Sequence, residues 1–274
     1  AATGDIEMGP SRDGRFLAIS NGTSVFVVDM DPQPPFAPYP NQRLGPVYDF
    51  SSCGVSSGCT LDWTQVAASG TYVIVHFSGD WQQVLDVNPT TLALTPRPLA
   101  TTYVGCHGTA AQGFIYDLGH PDVTLNPFDG NEDVIIGQEH CGNRGKTVNG
   151  MLIGGVVMVR LRDGAITSLT NPTNEAYPYH ISTRNLDRPG WVYVTYNPSS
   201  GQRFDDELIA VKLDGSGSVE RYAHTHSNSS GCYRCEPHGV PARDGRRVLW
   251  ASNWMINGTG GSSSVTQAYV VDTR

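Results

Sequence analysis

Residues 224–239 read HTHSNSSGCYRCEPHG, and three histidines, two cysteines and a glutamate fall within these sixteen positions. Three chemistries are open to such a set. Cys232 and Cys235 in C-x₂-C spacing, with His238 and either His224 or His226, would make a Cys₂His₂-like zinc site. Oxidised, the same two cysteines would staple a short loop. Left free, they would be ordinary thiols of a solvated loop. A thioredoxin-like redox role is not expected, because no βαβ pattern surrounds the C-x₂-C. Further residues suited to acid–base or metal chemistry stand alone along the chain: His120 in GHPD, His140 in EHCG and His180 in YHISTRN. What they can do depends on the elements that carry them.

The composition points to strands. Of 274 residues only 16% are charged, while 31 are Gly and 18 are Pro. Low charge with many turn formers suits an all-β chain. The net charge of −8, with no Lys/Arg run, argues against nucleic acid as a partner. No apolar run is long enough to span a bilayer.

One pattern recurs. EMGPSRDGRFLAIS is followed by SVFVVDMD; LDWTQVAASGTYVIVHFS by QQVLDVNPT; HPDVTLNPFDGNEDVIIG by GVVMVRLRDG; YHISTRNLDRPGWVYVTY by ELIAVKLDGSG; EPHGVPARDGRRVLWAS by QAYVVDTR. Glu7, Asp62, His120, His180 and His238 head the five units, at intervals of 55, 58, 60 and 58 residues. The D-G, S-G and P-G pairs are tight-turn signals, and runs such as YVIVHF and WVYV are β-branched and aromatic without helical period. The period predicts an all-β fold, a single β-propeller domain over 1–274. It has five countable four-stranded blades, or six or seven if others are cryptic or missing. A two-sheet sandwich would not repeat its strands in this order at this spacing. The last unit stops after its third strand.

A propeller blade runs from an inner strand at the central channel to an outer fourth strand. Connections between blades and the loops between second and third strands share one face. That face collects all six cysteines and seven of eight histidines; only His76 lies inside a strand run. The opposite loops SRDG, NPFDG, NLDRPG and ARDG carry neither residue type. The His/Cys face is therefore the expected functional face. The disulfide reading pairs Cys53–Cys59, Cys106–Cys141 and Cys232–Cys235. An even cysteine count, sequons at Asn21, Asn228 and Asn257, and a small-residue start fit an exported, secreted or periplasmic protein.

SRDGRFLAIS and ARDGRRVLWASNW look like the PDG-type β-propeller repeat of secreted bacterial proteins. The order GHPD, EHCG, YHISTRN, HTHS, EPHG resembles the oligogalacturonate lyase and ulvan lyase propellers over roughly residues 115–255. Those enzymes are longer and usually have seven blades. The resemblance implies β-elimination on a uronic-acid polymer. His120 and His140 would match a catalytic histidine pair, and Arg184 would neutralise the substrate carboxylate. Tyr177 or Tyr179 would be the base. His180 and His238 would bind a metal. With His120 they form a candidate set for a divalent ion such as Mn, Zn or Ca. Such chemistry needs a cation at the developing enolate and a base poised near neutral pH. Arg144, Lys146, Arg184 and Arg234 would make the face locally positive.

Three functions follow as expectations. One is an extracellular propeller binding a glycan, such as an acidic polysaccharide, a protein partner or copies of itself. The second is the lyase. The third is a five-bladed glycoside hydrolase using Glu7, Asp62 and Asp122, which fits poorly with histidines at three of five inner-strand starts.

Overall fold

The computed structural model describes residues 8–31, 42–50, 59–78, 81–99, 106, 112–198, 201–229, 232, 235–254 and 266–273. Its strands, in chain order, begin with β1 (Met8–Gly9), β2 (Phe16–Asn21), β3 (Ser24–Asp29), β4 (Arg43–Leu44) and β5 (Tyr48–Asp49). There follow β6 (Leu61–Val66), β7 (Tyr72–Phe77), β8 (Trp81–Val87) and β9 (Leu94–Pro96). The next group is β10 (Leu118–Asn126), β11 (Glu132–Glu139), the short β12 (Thr147–Val148) and β13 (Met151–Leu152), then β14 (Val156–Arg160) and β15 (Ile166–Ser168). After it come β16 (Pro178–Ser182), β17 (Trp191–Tyr196), β18 (Glu207–Lys212) and β19 (Val219–His224). The last are β20 (Val240–Pro241), β21 (Arg247–Ser252) and β22 (Gln267–Asp272).

These strands form an all-β propeller fold of successive antiparallel meanders. β6-β7-β8-β9, β10-β11-β14-β15 and β16-β17-β18-β19 are each four-stranded, and β20-β21-β22 is three-stranded. β12 and β13 make a separate hairpin in the loop between the second and third strands of the third meander.

The first sheet departs from the expected four-stranded blade. β2, β3 and β4 pair in order, and β5 also pairs with β3. β1 leaves this sheet and pairs in parallel with β6 of the next one, Gly9 opposite Gln65. A Cβ on Gly9 would meet the Gln65 side chain at 2.8 Å. The bare glycine is thus what allows this close approach.

The packing explains the strand sequences. Alternate residues of a strand point to opposite faces of its sheet. Val73 and Val75 of β7 pack into a cluster with Ala18, Val25 and Val27 of the first sheet. Tyr72 and Ile74 pack the other way, with Leu118, Ile135 and Val157 of the third. Every residue of β7 is therefore buried. That is why YVIVHF shows no polar alternation. Among the described residues only one face of the last sheet is covered, and β21 alternates exposed with buried. Val248 and Trp250 pack on Tyr193, Leu208 and Ala210. On the bare face Val240, Leu249 and Val270 are opposite one another and exposed.

The hairpins facing away from the histidines are strapped to their neighbours. The Arg12 N–H donates to the Ala68 carbonyl at 2.9 Å, and the Ser69 N–H donates to the Asp133 carboxylate at 3.0 Å. Arg243 and Asp187 form an ion pair at 3.0 Å.

Candidate functional site

The inner strands bring three of the separated histidines together. His120, His180 and His238 stand on or beside three successive inner strands. The His120 and His180 ring centroids are 4.6 Å apart and nearly perpendicular. Those of His180 and His238 are 3.8 Å apart. His120 and His238 are exposed, whereas His180 is 9% exposed. His120 lies in a bulge of β10 between Gly119 and Asp122, with a φ of 43°. The bulge re-aims its ring toward the channel mouth.

A fourth group completes the cluster. Glu236 Oε2 lies 2.9 Å from His180 Nε2. Ligand atoms of His180, Glu236 and His238 all lie within 4.8 Å of one another. Glu236 was not singled out from the sequence as a site residue. The available signal was its position two residues before His238, since alternate residues of an extended chain share a side.

Burial sets the charge states here. Loss of hydration, with the neighbouring His238 and His120, pushes the His180 pKa down to about 2, so its ring is neutral. Burial also pushes the Glu236 carboxyl up, against the pull of His238. Two imidazoles and a carboxylate fit a divalent transition ion such as zinc, and a neutral imidazole is the form that ligates. The donor chemistry therefore suits a metal.

The His180 shift has a consequence for stability. The unfolded chain protonates this histidine near 6.5 and the folded chain does not until about 2. Stability contributed by the neutral ring is present above 6.5 and is lost as pH falls below it. The expected slope is about 1.4 kcal/mol per pH unit for one proton. Urea melts of chelator-treated protein between pH 6.5 and 5 will show it, and His180→Asn will flatten this component.

The other expected site residues lie elsewhere. The Arg184 guanidinium donates to Asp122 Oδ1 at 3.0 Å. The same Asp122 carboxylate accepts from Gln65 Nε2 and the Thr183 N–H, both at 2.9 Å. Asp122 thus ties three successive meanders together inside the channel. Arg184 is four residues beyond His180, roughly 13 Å along an extended strand. The half-buried His140 donates its N–H to the Asp117 carbonyl at 3.3 Å. The Tyr179 ring is 6.0 Å from His180 and 6.2 Å from Tyr177. Arg144 bonds the Glu175 and Ala176 carbonyls. Asp62 lies 3.4 Å from His76, which stacks on Trp63. Glu7, Cys53, Arg234 and Asn257 lie outside the described residues. Asn21 is exposed at the β2–β3 hairpin, and Asn228 is half-buried.

Cys106 is bonded to Cys141 and Cys232 to Cys235. Cys59 is also in a disulfide. Sulfurs bonded to each other are not thiolates, so the Cys₂His₂-like alternative is set aside. His224 and His226 do not join the channel histidines. They form a second cluster, with ring centroids 6.1 Å apart.

No protein-family model matches the chain, and no curated protein sequence is similar to it. Solved structures with likeness include a protein described as a TolB from Agrobacterium tumefaciens. It has 12% identity and a TM-score of 0.47, over 97% of this chain and 76% of that one. The hydrazine synthase of Kuenenia stuttgartiensis has 16% identity and a TM-score of 0.44, over 89% and 60%. A protein described as a 6-phosphogluconolactonase from Bacteroides uniformis has 13% identity and a TM-score of 0.45, over 97% and 71%. Likeness at this level says nothing of what the chain binds or catalyses. Among the described residues, no helix is long and apolar enough to cross a membrane.

Proposed function

We propose that the chain is an extracellular propeller that binds an acidic glycan at its channel mouth, through a divalent metal held by His180, Glu236 and His238. One observation carries this reading: donor atoms from two sheets converge within 4.8 Å around a buried neutral imidazole. A bound ion would supply positive charge for a uronate carboxylate. His180 and Glu236 fix the inner side of the site, and the exposed His238 and His120 rings line its open side. The disulfides accord with an oxidising compartment.

Calorimetric titration with zinc and manganese tests the site. Stoichiometric binding by the native chain is expected, weakened more than about 100-fold in His238→Ala, since even an outer-shell partner costs 10–100-fold. Equal affinity in native chain and variant would sink the reading.

The exposed His120 ring edge-on to His180 favours a second reading, β-elimination on the bound uronate. Ultraviolet absorbance of an unsaturated product, from pectate or ulvan fragments with added metal, would support it. No gain across a panel of uronate polymers would leave binding alone.

A further inference from the structure

Beside the channel mouth, a second group of rings is held by unusual means. The His226 and Trp254 ring centroids are 4.4 Å apart. Tyr269 lies 4.9 Å from Trp254, and Trp250 stands 5.9 Å behind Tyr269. The His226 side chain is 47% exposed and Trp254 is 44% exposed. Both residues have left-handed backbone, each with a φ of 52°. For a side chain other than glycine this backbone is strained, and it persists only where the surroundings over-determine it.

Here a buried polar cradle does so. Asn253 holds both backbone groups of Asn228, accepting from its N–H at 2.9 Å and donating to its carbonyl at 2.8 Å. The Ser252 hydroxyl donates to the His226 carbonyl and accepts from the Trp254 N–H. Asp206 accepts from the His226 N–H at 2.9 Å and from the Thr225 hydroxyl. Trp250 Nε1 donates to the Thr225 carbonyl at 3.2 Å. Asp206, Thr225, Ser252 and Asn253 are all buried. Seven hydrogen bonds within the fold thus hold two strained residues with their rings partly exposed. Burying the rings inward would have been the ordinary use of such side chains.

Exposed flat rings match a pyranose, whose C–H face stacks on aromatic rings while its hydroxyls stay in water. We infer that His226 and Trp254, backed by Tyr269, form a stacking subsite for one sugar ring of a glycan. This rests on the reading that the ligand is a glycan, but not on the metal. The Ser227 hydroxyl donates to the Cys235 carbonyl, so residues adjoining His226 and Glu236 are bonded to each other. One glycan chain would therefore pass from the channel mouth onto the rings.

The test is calorimetric titration of the full chain, in chelator, against short neutral and uronate oligosaccharides. At least one is expected to bind. Trp254→Ala will weaken it about tenfold, or about 1.4 kcal/mol, while Trp254→Phe retains most of the affinity. Tyr269→Ala, measured in parallel, will also weaken it if Trp254→Ala fails to fold. Equal affinity in the folded alanine variants would overturn the subsite, as would no binding by the native chain. Because chelator is present throughout, failure of the metal site leaves this result standing and is read separately in the metal titration.

Discussion

Glu175→Ala is expected to lower stability by about 4 kcal/mol, because two buried donors lose their acceptor at an estimated 1–3 kcal/mol each. Glu175 is 1% exposed in the connection between β15 and β16. Its Oε1 accepts from the Tyr196 hydroxyl at 2.6 Å and its Oε2 from the Gly155 N–H at 2.8 Å. Tyr196 cannot escape by ionising in the variant, since burial, the largest cause of its raised pKa, remains. Nor can water rescue the pair without opening the core around Val156 and Ala176, both fully buried. Tyr196→Phe leaves only one buried group, Glu175 Oε1, without its partner, and should cost about 1–3 kcal/mol, less than the double loss. Urea unfolding of both variants checks the order. A smaller loss in Glu175→Ala than in Tyr196→Phe would contradict the account.

Removal of the Cys106–Cys141 bond by paired serine substitution is expected to cost a similar amount, about 4 kcal/mol. The two residues are 35 positions apart, and the crosslink restricts the unfolded chain by that loop. Cys232 and Cys235 are only 3 apart, so the same substitution there should cost less than about 2 kcal/mol. Thermal melts of the two double variants give the comparison. A larger loss at the short loop would mean that the bond acts chiefly on the folded state.

Much of the fold was legible because each meander writes the same signals. A turn pair such as D-G or S-G follows the inner strand, then come two β-branched runs. The continuous apolar runs of β7 and β17 follow from burial on both faces, a condition that a stack of sheets imposes on its middle members. The convergence of His120, His180 and His238 was legible for the same reason, since equal spacing places equal positions at one channel. Glu236 was visible in its stretch but carried no role, because the Cys/His spacing of a zinc motif does not call for a carboxylate. The Trp254 platform was out of reach, because its cradle joins residues about 25 positions apart through side chains that look like ordinary loop polars. The parallel pairing of β1 with β6 was not legible either, because it joins a two-residue strand to the next sheet, and strand propensity does not record partners.

The four apolar clusters each join two consecutive sheets, and none is confined to a single sheet. No sheet in the series owns a core. Loss of one meander would strip half the lining from the interfaces on both of its sides, so partial unfolding is penalised at the nearest neighbour first. The energetics are those of a linear array with strong coupling between adjacent units. Amide exchange should then show the middle meanders opening together and most slowly. Among the described residues the last sheet packs on one neighbour only, so it should fray first, and β22 should exchange ahead of the rest.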